Sequence, residues 1–140
     1  YATDHLGRVP LVAAARVGRL IDVYGLGSLV DLDVGEEKAE WAVWAGIVGW
    51  WMLAVGAVVG WRALGRPGDG SAERARARWW LVVPIVTVLI TAILFYGAHR
   101  VRAPAEPAIV VLAAAGVVAL VERRVADDAR WVRAKEPAAT

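Results

Sequence analysis

Cysteine is absent from this 140-residue sequence, and histidine, methionine and phenylalanine are scarce, with two, one and one copies. The lack of cysteine excludes a disulfide framework, a thiolate metal site and a cysteine nucleophile. The two histidines, His5 and His99, are far apart in sequence, and neither has a histidine or cysteine at metal-ligand spacing. The sequence therefore predicts no zinc-type site, and we interpret both histidines as interfacial polar residues.

Motifs of several soluble enzyme classes are also missing. Gly65 and Gly70 have the spacing of a P-loop, but the phosphate-binding lysine is absent and no strand precedes them. No serine lies in a strained turn of the Gly-x-Ser-x-Gly type. Asp31 and Asp33 resemble the metal-binding carboxylates of nucleotide-sugar transferases, but those enzymes need a soluble α/β domain that this chain lacks. We interpret the acidic residues 31–40 as a solvated loop.

The beginning of the chain carries no recognisable signal. No basic segment, apolar segment and cleavage site follow Tyr1, and we expect further sequence upstream. The net charge of +2 comes from arginine clusters beside apolar runs, and no DNA or RNA motif accompanies it. Membrane lipids are therefore expected partners, and nucleic acid is not.

Apolar residues and tryptophan are abundant instead. Hydrophobic residues make up 59% of the sequence and charged residues only 21%, a balance unlike that of soluble domains. Eight tryptophans stand against one phenylalanine. Tryptophan suits the boundary between membrane and water, because its body is apolar and its indole N–H is polar. The composition predicts an integral membrane protein.

Three uncharged runs predict an all-α fold with three transmembrane helices. Residues 41–61 would span about 31 Å as a helix, which matches a hydrocarbon core of about 30 Å. Residues 79–98 form a second span, with Pro84 placed in its first turns. Residues 107–121 are short enough to be re-entrant, but residues 103–105 can extend them and Pro107 suits a helix start. We predict a third span there, and Trp50 and Trp51, near the middle of the first, should face protein.

Arginine and lysine placement predicts the topology. The loop at residues 62–78 and the tail at residues 122–140 are rich in arginine, whereas the turn at residues 99–106 has only Arg100 and Arg102. The positive-inside rule places the loop and tail in the cytoplasm, and residues 1–40 outside. Within residues 1–40, a helix over residues 11–24 would be amphipathic and lie on the outer surface, with Gly25 and Gly27 ending it.

Two small-residue patterns in the first span have two readings. Gly56 and Gly60 have the spacing that lets membrane helices approach closely, and Ala45 and Gly49 repeat it. Packing within the chain is the preferred interpretation, and a dimer seam is the alternative.

The external turn holds the most informative chemistry. It runs Tyr96-Gly-Ala-His-Arg-Val-Arg-Ala-Pro-Ala-Glu-Pro107, so Arg100, Arg102 and Glu106 lie between two apolar helices at the depth of lipid phosphates. A planar guanidinium binds phosphate oxygens bidentately. Interfacial snorkelling with an Arg–Glu pair is the alternative, and the pattern alone favours it over phosphate binding.

This turn, together with the segment His5-Leu-Gly-Arg-Val-Pro-Leu-Val-Ala-Ala-Ala-Arg-Val-Gly-Arg19, resembles the carboxy-terminal part of bacterial polyprenyl-phosphate-dependent glycosyltransferases of the GT-C type. These are related to protein O-mannosyltransferases and lipid A aminoarabinose transferases. The resemblance implies a multi-pass enzyme of the bacterial plasma membrane that moves a sugar from a polyprenyl phosphate to an acceptor on the outer face.

The resemblance also implies roles for particular residues. Arg100 and Arg102 would bind the phosphate of the carrier, and Glu106 and Tyr96 would shape the adjacent site. The catalytic aspartate would lie in the first external loop, near the start of the full protein, so no catalytic residue is expected here, and neither Asp4 nor Asp22 is assigned that role. No cofactor is expected beyond the lipid-linked donor, and a need for a divalent metal stays open.

Two other functions compete with this hypothesis. A small non-enzymatic membrane scaffold or accessory subunit would use Gly56 and Gly60 to pack against a partner. A transporter subunit ranks last, because no predicted span has a charged residue near its centre, where coupled transporters usually place one.

Overall fold

A computed structural model describes residues 6–66 and 70–135. A 3-10 turn at Leu6–Arg8 leads into five α-helices: α1 (Val9–Leu20), α2 (Leu26–Gly35), α3 (Glu40–Leu64), α4 (Ser71–Leu94) and α5 (Glu106–Lys135). A 3-10 helix at His99–Ala105, named the connector below, joins α4 to α5. The described residues contain no strand, so the all-helical prediction is confirmed for them. His5 lies outside the described residues.

Among the described residues, three segments are long and apolar enough to cross a membrane. They are Glu40–Leu64, Ala72–Leu94 and Arg100–Arg133, and each contains an 18-residue stretch of high mean hydropathy, 1.9, 2.0 and 2.0 respectively. Each contains one of the three apolar runs of the sequence, apart from the last residues of the second run. The prediction of three membrane-spanning helices is therefore confirmed in length and composition, and the fold is consistent with a multi-pass membrane protein.

Helix α4 begins eight residues before the predicted span and ends four residues before its predicted end. Its first turns are rich in alanine and arginine, which favour helix, so the helix extends into what was predicted to be loop. Pro84 consequently lies in the helix interior rather than in the first turns. A proline there leaves the carbonyl of Trp80 without its usual intrahelical donor.

Helix α5 is much longer than the predicted span at residues 107–121. It begins at Glu106, with Pro107 in its first turn as predicted, and continues to Lys135. The predicted cytoplasmic tail at residues 122–140 is thus helical as far as Lys135. Its alanine, arginine and glutamate residues are good helix formers, so the helix continues beyond the apolar run.

The amino-terminal region contains two helices where one helix and a loop were predicted. Helix α1 ends at Leu20, and Gly25, with a φ of 71°, precedes α2. Gly27, Asp31 and Asp33 lie within α2, so the loop predicted at residues 31–40 is confined to residues 36–39. Polarity indicated a loop, but the apolar residues just before the acids hold the helix on α3: Val30 packs on Val43 and Ile47, with Leu26 and Leu29 beside it.

Helices α3 and α5 pack closely through glycine. A Cβ on Gly60 would overlap the backbone of Leu112, and a Cβ on Gly116 would overlap the backbone of Gly56. Trp50 lies against Arg102, just before α5, and Gly60, further along α3, lies against Leu112, further along α5, so the two helices run parallel. Helices in lipid gain little from hydrophobic burial, and close packing of small residues stabilises their association instead. The intramolecular interpretation of the glycine pair is therefore confirmed.

Helix α1 is anchored where α4 ends. The guanidinium of Arg16 donates hydrogen bonds to the carbonyls of Ile93 (2.7 Å) and Leu94 (3.2 Å). Carbonyls in the last turn of a helix lack intrahelical donors, and a cation there also complements the helix dipole. A Cβ on Gly97 would overlap the backbone of Arg16, so only glycine fits this close approach.

A second anchor ties the end of α1 to α3. Trp50 is buried, as predicted. Trp51 is partly exposed, but its indole Nε1 donates to the carbonyl of Ile21 (3.1 Å). The amino-terminal helices are thus held on one end of the three long helices.

Candidate functional site

The connector decides where its two arginines point. In a 3-10 helix each residue rotates by about 120°, so residues two apart in sequence leave the axis on different sides. Arg100 and Arg102 are in this relationship. Of the four predicted site residues, Tyr96 and Arg100 line one cavity, and Arg102 and Glu106 line another. The predicted single site is therefore two neighbouring sites.

Arg102 is the centre of a buried cluster. Its side chain is 12% exposed, and its Nη1 forms an ion pair with Oδ2 of Asp22, which is 1% exposed. Its Nε lies 3.3 Å from Oε1 of Glu106, the first residue of α5. The guanidinium also lies 4.1 Å from the ring centroid of Trp50, a distance at which the ring face attracts a cation. Arg102 therefore joins α1, α3 and α5.

Asp22 has an unusual backbone and an incomplete set of partners. Its φ is 53°, in the left-handed region that aspartate tolerates better than most residues. This backbone turn places the carboxylate beside the connector, where it pairs with Arg102. Its second oxygen, Oδ1, is buried and has no hydrogen-bond partner among the described residues. A buried carboxylate oxygen without a donor is costly, so this atom marks a place where a ligand or water would bind.

Arg100 takes part in a separate, more exposed ion-pair network. Its Nη2 pairs with Oε2 of Glu36 and lies 3.8 Å from Oδ1 of Asp33. Lys38 in turn lies 2.7 Å from Oδ1 of Asp33 and 3.5 Å from Oε2 of Glu36. These contacts join the end of α2 to the connector.

The ion pairs shift two pKa values at the end of α2. The hydrogen bond from Arg100 lowers the pKa of Glu36, and the charges of Arg100 and Lys38 act in the same direction. The hydrogen bond to Asp33 raises the pKa of Lys38. Both groups therefore remain charged over a wider range of pH than they would in isolation.

A cavity of about 350 Å³ lies between the turn from α1 to α2 and the segment before the connector. Its polar lining consists of Arg19, Tyr24, Ser28, Tyr96 and Arg100. No carboxylate among the described residues pairs with Arg19, whose guanidinium lies 5.7 Å from the ring centroid of Tyr24. We name this cavity the arginine pocket.

The arginine pocket includes residues that sequence reasoning did not select. Arg19 and Tyr24 belong to the predicted amphipathic helix, in which the sequence pattern places arginine on the solvent-exposed face. Asp22, which lies beside the pocket residues in sequence, was not selected because the resemblance places the catalytic aspartate near the start of the full protein. The sequence feature that could have indicated these residues is their position shortly before Gly25, because a glycine there allows the chain to change direction.

The described residues contain no group of three or more His, Cys, Asp or Glu side chains placed to hold a metal ion. The candidate chemistry lies in guanidinium, tyrosine and carboxylate groups.

The fold and the two clusters define an all-helical protein with three helices able to cross a membrane and an arginine-rich cap at one end. Comparison with protein-family models, with curated proteins and with solved structures found no match to this chain.

Proposed function

We propose that this chain is the carboxy-terminal portion of a membrane glycosyltransferase, and that the arginine pocket holds the phosphate of its polyprenyl-phosphate sugar donor. The observation that carries the proposal is the pairing of Arg19 and Arg100 in one cavity with two tyrosines. The turn at residues 96–107 supplies the resemblance to enzymes of this class, and the pocket gives that turn a place to bind an anion.

The charges of the pocket suit a phosphate. The side chain of Arg100 is 57% exposed, and its contacts with carboxylates among the described residues go through Nη2 alone. Its other N–H groups are free to donate to an anion, as are those of Arg19. Two guanidiniums can neutralise a phosphate through charge-assisted hydrogen bonds, and tyrosine hydroxyls can add further donors.

The surroundings of the pocket suit a lipid. The chain next to Tyr96 exposes Leu94 and Phe95, and Phe95 is 74% exposed. Exposed apolar side chains beside a cationic pocket provide a surface for an isoprenoid tail whose phosphate lies in the pocket. A soluble anion would gain nothing from this surface.

The proposal changes the role first given to Arg102 and Glu106. Arg102 is already occupied by Asp22 and Trp50, so it positions the connector rather than binding phosphate. Tyr96 and Arg100 keep their proposed contact with the donor. No residue of this chain is assigned as the catalytic base, which the proposal leaves to the first external loop of the full protein.

The proposed setting is the bacterial plasma membrane. Residues 1–40 and the connector would face outward, and the carboxy terminus would be cytoplasmic, in accord with the positive-inside rule. The partners are then membrane lipids, the polyprenyl-phosphate donor and the upstream helices of the same protein.

The test measures binding of undecaprenyl phosphate to the full chain in lipid nanodiscs, for example by native mass spectrometry. Arg19→Ala and Arg100→Ala should each weaken binding about tenfold, since a charge-assisted hydrogen bond contributes about 1.5–3 kcal/mol. Arg8→Ala is the matched control, because Arg8 is exposed and lies outside the pocket. Equal binding by the control and both pocket variants would overturn the proposal.

A second comparison separates the carrier from other anionic lipids. Phosphatidylglycerol, a phosphodiester like the sugar donor, has acyl chains in place of the isoprenoid that would lie on Leu94 and Phe95, so it should bind less tightly and with weaker dependence on Arg19 and Arg100. Equal sensitivity of both lipids would show a general anionic-lipid site and contradict the assignment to a polyprenyl phosphate.

A further inference from the structure

A second cavity, of about 270 Å³, lies between α2, the start of α3 and the connector. Its polar lining consists of Asp22, Asp33, Lys38 and Arg102, and its apolar wall includes Leu29 and Gly46. We name it the aspartate cavity. Its size is just below the range of about 300–1,000 Å³ that is typical of small-molecule sites, so a single small ring would fill it.

The aspartate cavity contains an acceptor without a donor. Asp22 is 1% exposed, and its Oδ1 has no hydrogen-bond partner among the described residues. The other oxygen of the carboxylate is held by Arg102, which fixes the orientation of Oδ1. A buried acceptor that is rigidly held and unsatisfied needs a donor, and a molecule in the cavity that Asp22 lines can supply one.

The charges around the cavity favour a neutral donor over a cation. Asp22 pairs with Arg102, and Asp33 pairs with Lys38, so each carboxylate already has a positive partner. An ammonium group would meet the positive charges of Lys38 and Arg102 in the same cavity. A hydroxyl supplies the missing hydrogen bond without adding charge.

More than one hydroxyl can be accommodated. Lys38 has three N–H donors, and its nearest carboxylates among the described residues are Asp33 and Glu36. Lys38 is only half buried, so a donor can turn toward a ligand oxygen. A carboxylate acceptor, an ammonium donor and an apolar wall form the combination that binds a sugar ring through its hydroxyls and its C–H face.

We propose that the aspartate cavity binds one polyhydroxylated ring, with a ring hydroxyl donating a hydrogen bond to Oδ1 of Asp22. Leu29 lines both this cavity and the arginine pocket, so the two cavities adjoin across α2. The identification of the ring with the sugar of the donor or of the acceptor rests on the proposed function. The existence of a site for a ring rests only on the cavity and on Asp22.

The experiment uses methyl glycosides of glucose, mannose, galactose and arabinose as probes, with the full chain in lipid nanodiscs. Saturation-transfer NMR detects weak binding of each glycoside. At least one should give a signal, and Gly46→Leu should reduce it about tenfold or more. A Cβ on Gly46 meets nothing within 4 Å, so there is space for a larger side chain to begin there, and Gly46 lines the aspartate cavity as well as the cavity beside Arg102 and Glu106.

Gly49→Leu is the matched control. Gly49 lies one turn further along α3, also has open space at its Cβ, and lines a different cavity. The saturation-transfer signal of the glycoside with Gly49→Leu should equal that with the unchanged chain. Asp22→Asn should also abolish the signal, and Gly46→Leu keeps that result interpretable if the loss of the ion pair unfolds the end of α1.

The outcomes separate this proposal from the proposed function. Arg19→Ala should leave glycoside binding unchanged, since Arg19 lines the arginine pocket alone. Loss of the glycoside signal in Gly46→Leu supports the ring site, even if undecaprenyl phosphate binding proves independent of Arg19 and Arg100. No signal from any glycoside with the unchanged chain, or an equal signal from Gly46→Leu and Gly49→Leu, would overturn it and indicate that Oδ1 is satisfied by water.

Discussion

Asp22 and Arg102 form an ion pair across 80 residues of sequence, and both side chains are almost fully buried. The pair joins the end of α1 to the connector between the last two long helices. Because Trp50 lies against the same guanidinium, the pair also fixes the position of α3. This cluster adds to the hydrogen bonds of Arg16 and Trp51 and to the ion pair of Arg100 in attaching the amino-terminal helices to the three long helices.

Arg102→Ala should lower the free energy of unfolding by about 3 kcal/mol, since removing one partner leaves a buried charge without compensation. Thermal unfolding in mild detergent measures the change, and Arg8→Ala should have little effect. The double variant Asp22→Asn with Arg102→Ala should cost less than the sum of the losses in Asp22→Asn and Arg102→Ala alone. Additive losses would contradict direct coupling of these side chains.

Gly60→Ala should destabilise the contact of α3 with α5 by about 1–3 kcal/mol, the usual cost of forcing extra atoms into a packed interface. Its Cβ would overlap the backbone of Leu112. Gly49→Ala in the same helix meets open space, and the gain in helix propensity of about 0.5–1 kcal/mol should leave it neutral or slightly more stable. Unfolding in detergent compares the two variants, and equal stability would contradict the close packing.

The Glu36–Arg100 ion pair should stabilise the end of α2 at neutral pH and lose that effect in acid. Arg100 lowers the pKa of Glu36, so the folded state holds the carboxylate charged more strongly than the unfolded state does. The stabilisation is therefore complete above the ordinary glutamate pKa of about 4.3 and falls as the pH drops through the lower folded value. Hydrogen exchange of residues 32–38 should be faster in Glu36→Gln than in the unchanged chain at about pH 7, and the difference should shrink only as the pH falls below about 4.

The same experiment has an alkaline counterpart that serves as its control. Asp33 raises the pKa of Lys38, so the contribution of Lys38 is complete below the ordinary lysine pKa of about 10.4 and is lost as the pH rises through the higher folded value. Lys38→Gln should therefore be insensitive to acid between about pH 7 and about pH 5. A difference between Glu36→Gln and the unchanged chain that persisted undiminished in acid would show that the ion pair is not its cause.

The sequence located much of the candidate site, but it did not show that Tyr96 and Arg100 line one cavity and Arg102 and Glu106 another. The turn at residues 96–107 stood out because two arginines and a glutamate interrupt apolar sequence. Its 3-10 geometry then sends Arg100 toward Glu36 and Arg102 toward Asp22. Residues 80 apart in sequence leave no periodic signal that would have linked Asp22 to Arg102.

The sequence by itself determined the class of fold, since long uncharged runs can be stable in lipid only if each backbone hydrogen bond is made within the run. It also determined the glycine spacing that α3 uses against α5, because only small residues permit backbones to approach so closely. The tertiary structure decided which charges are paired and which remain available. Arg102 could be assigned a buried partner, and Asp22 an unsatisfied oxygen, only once the fold had brought α1, the connector and α3 together.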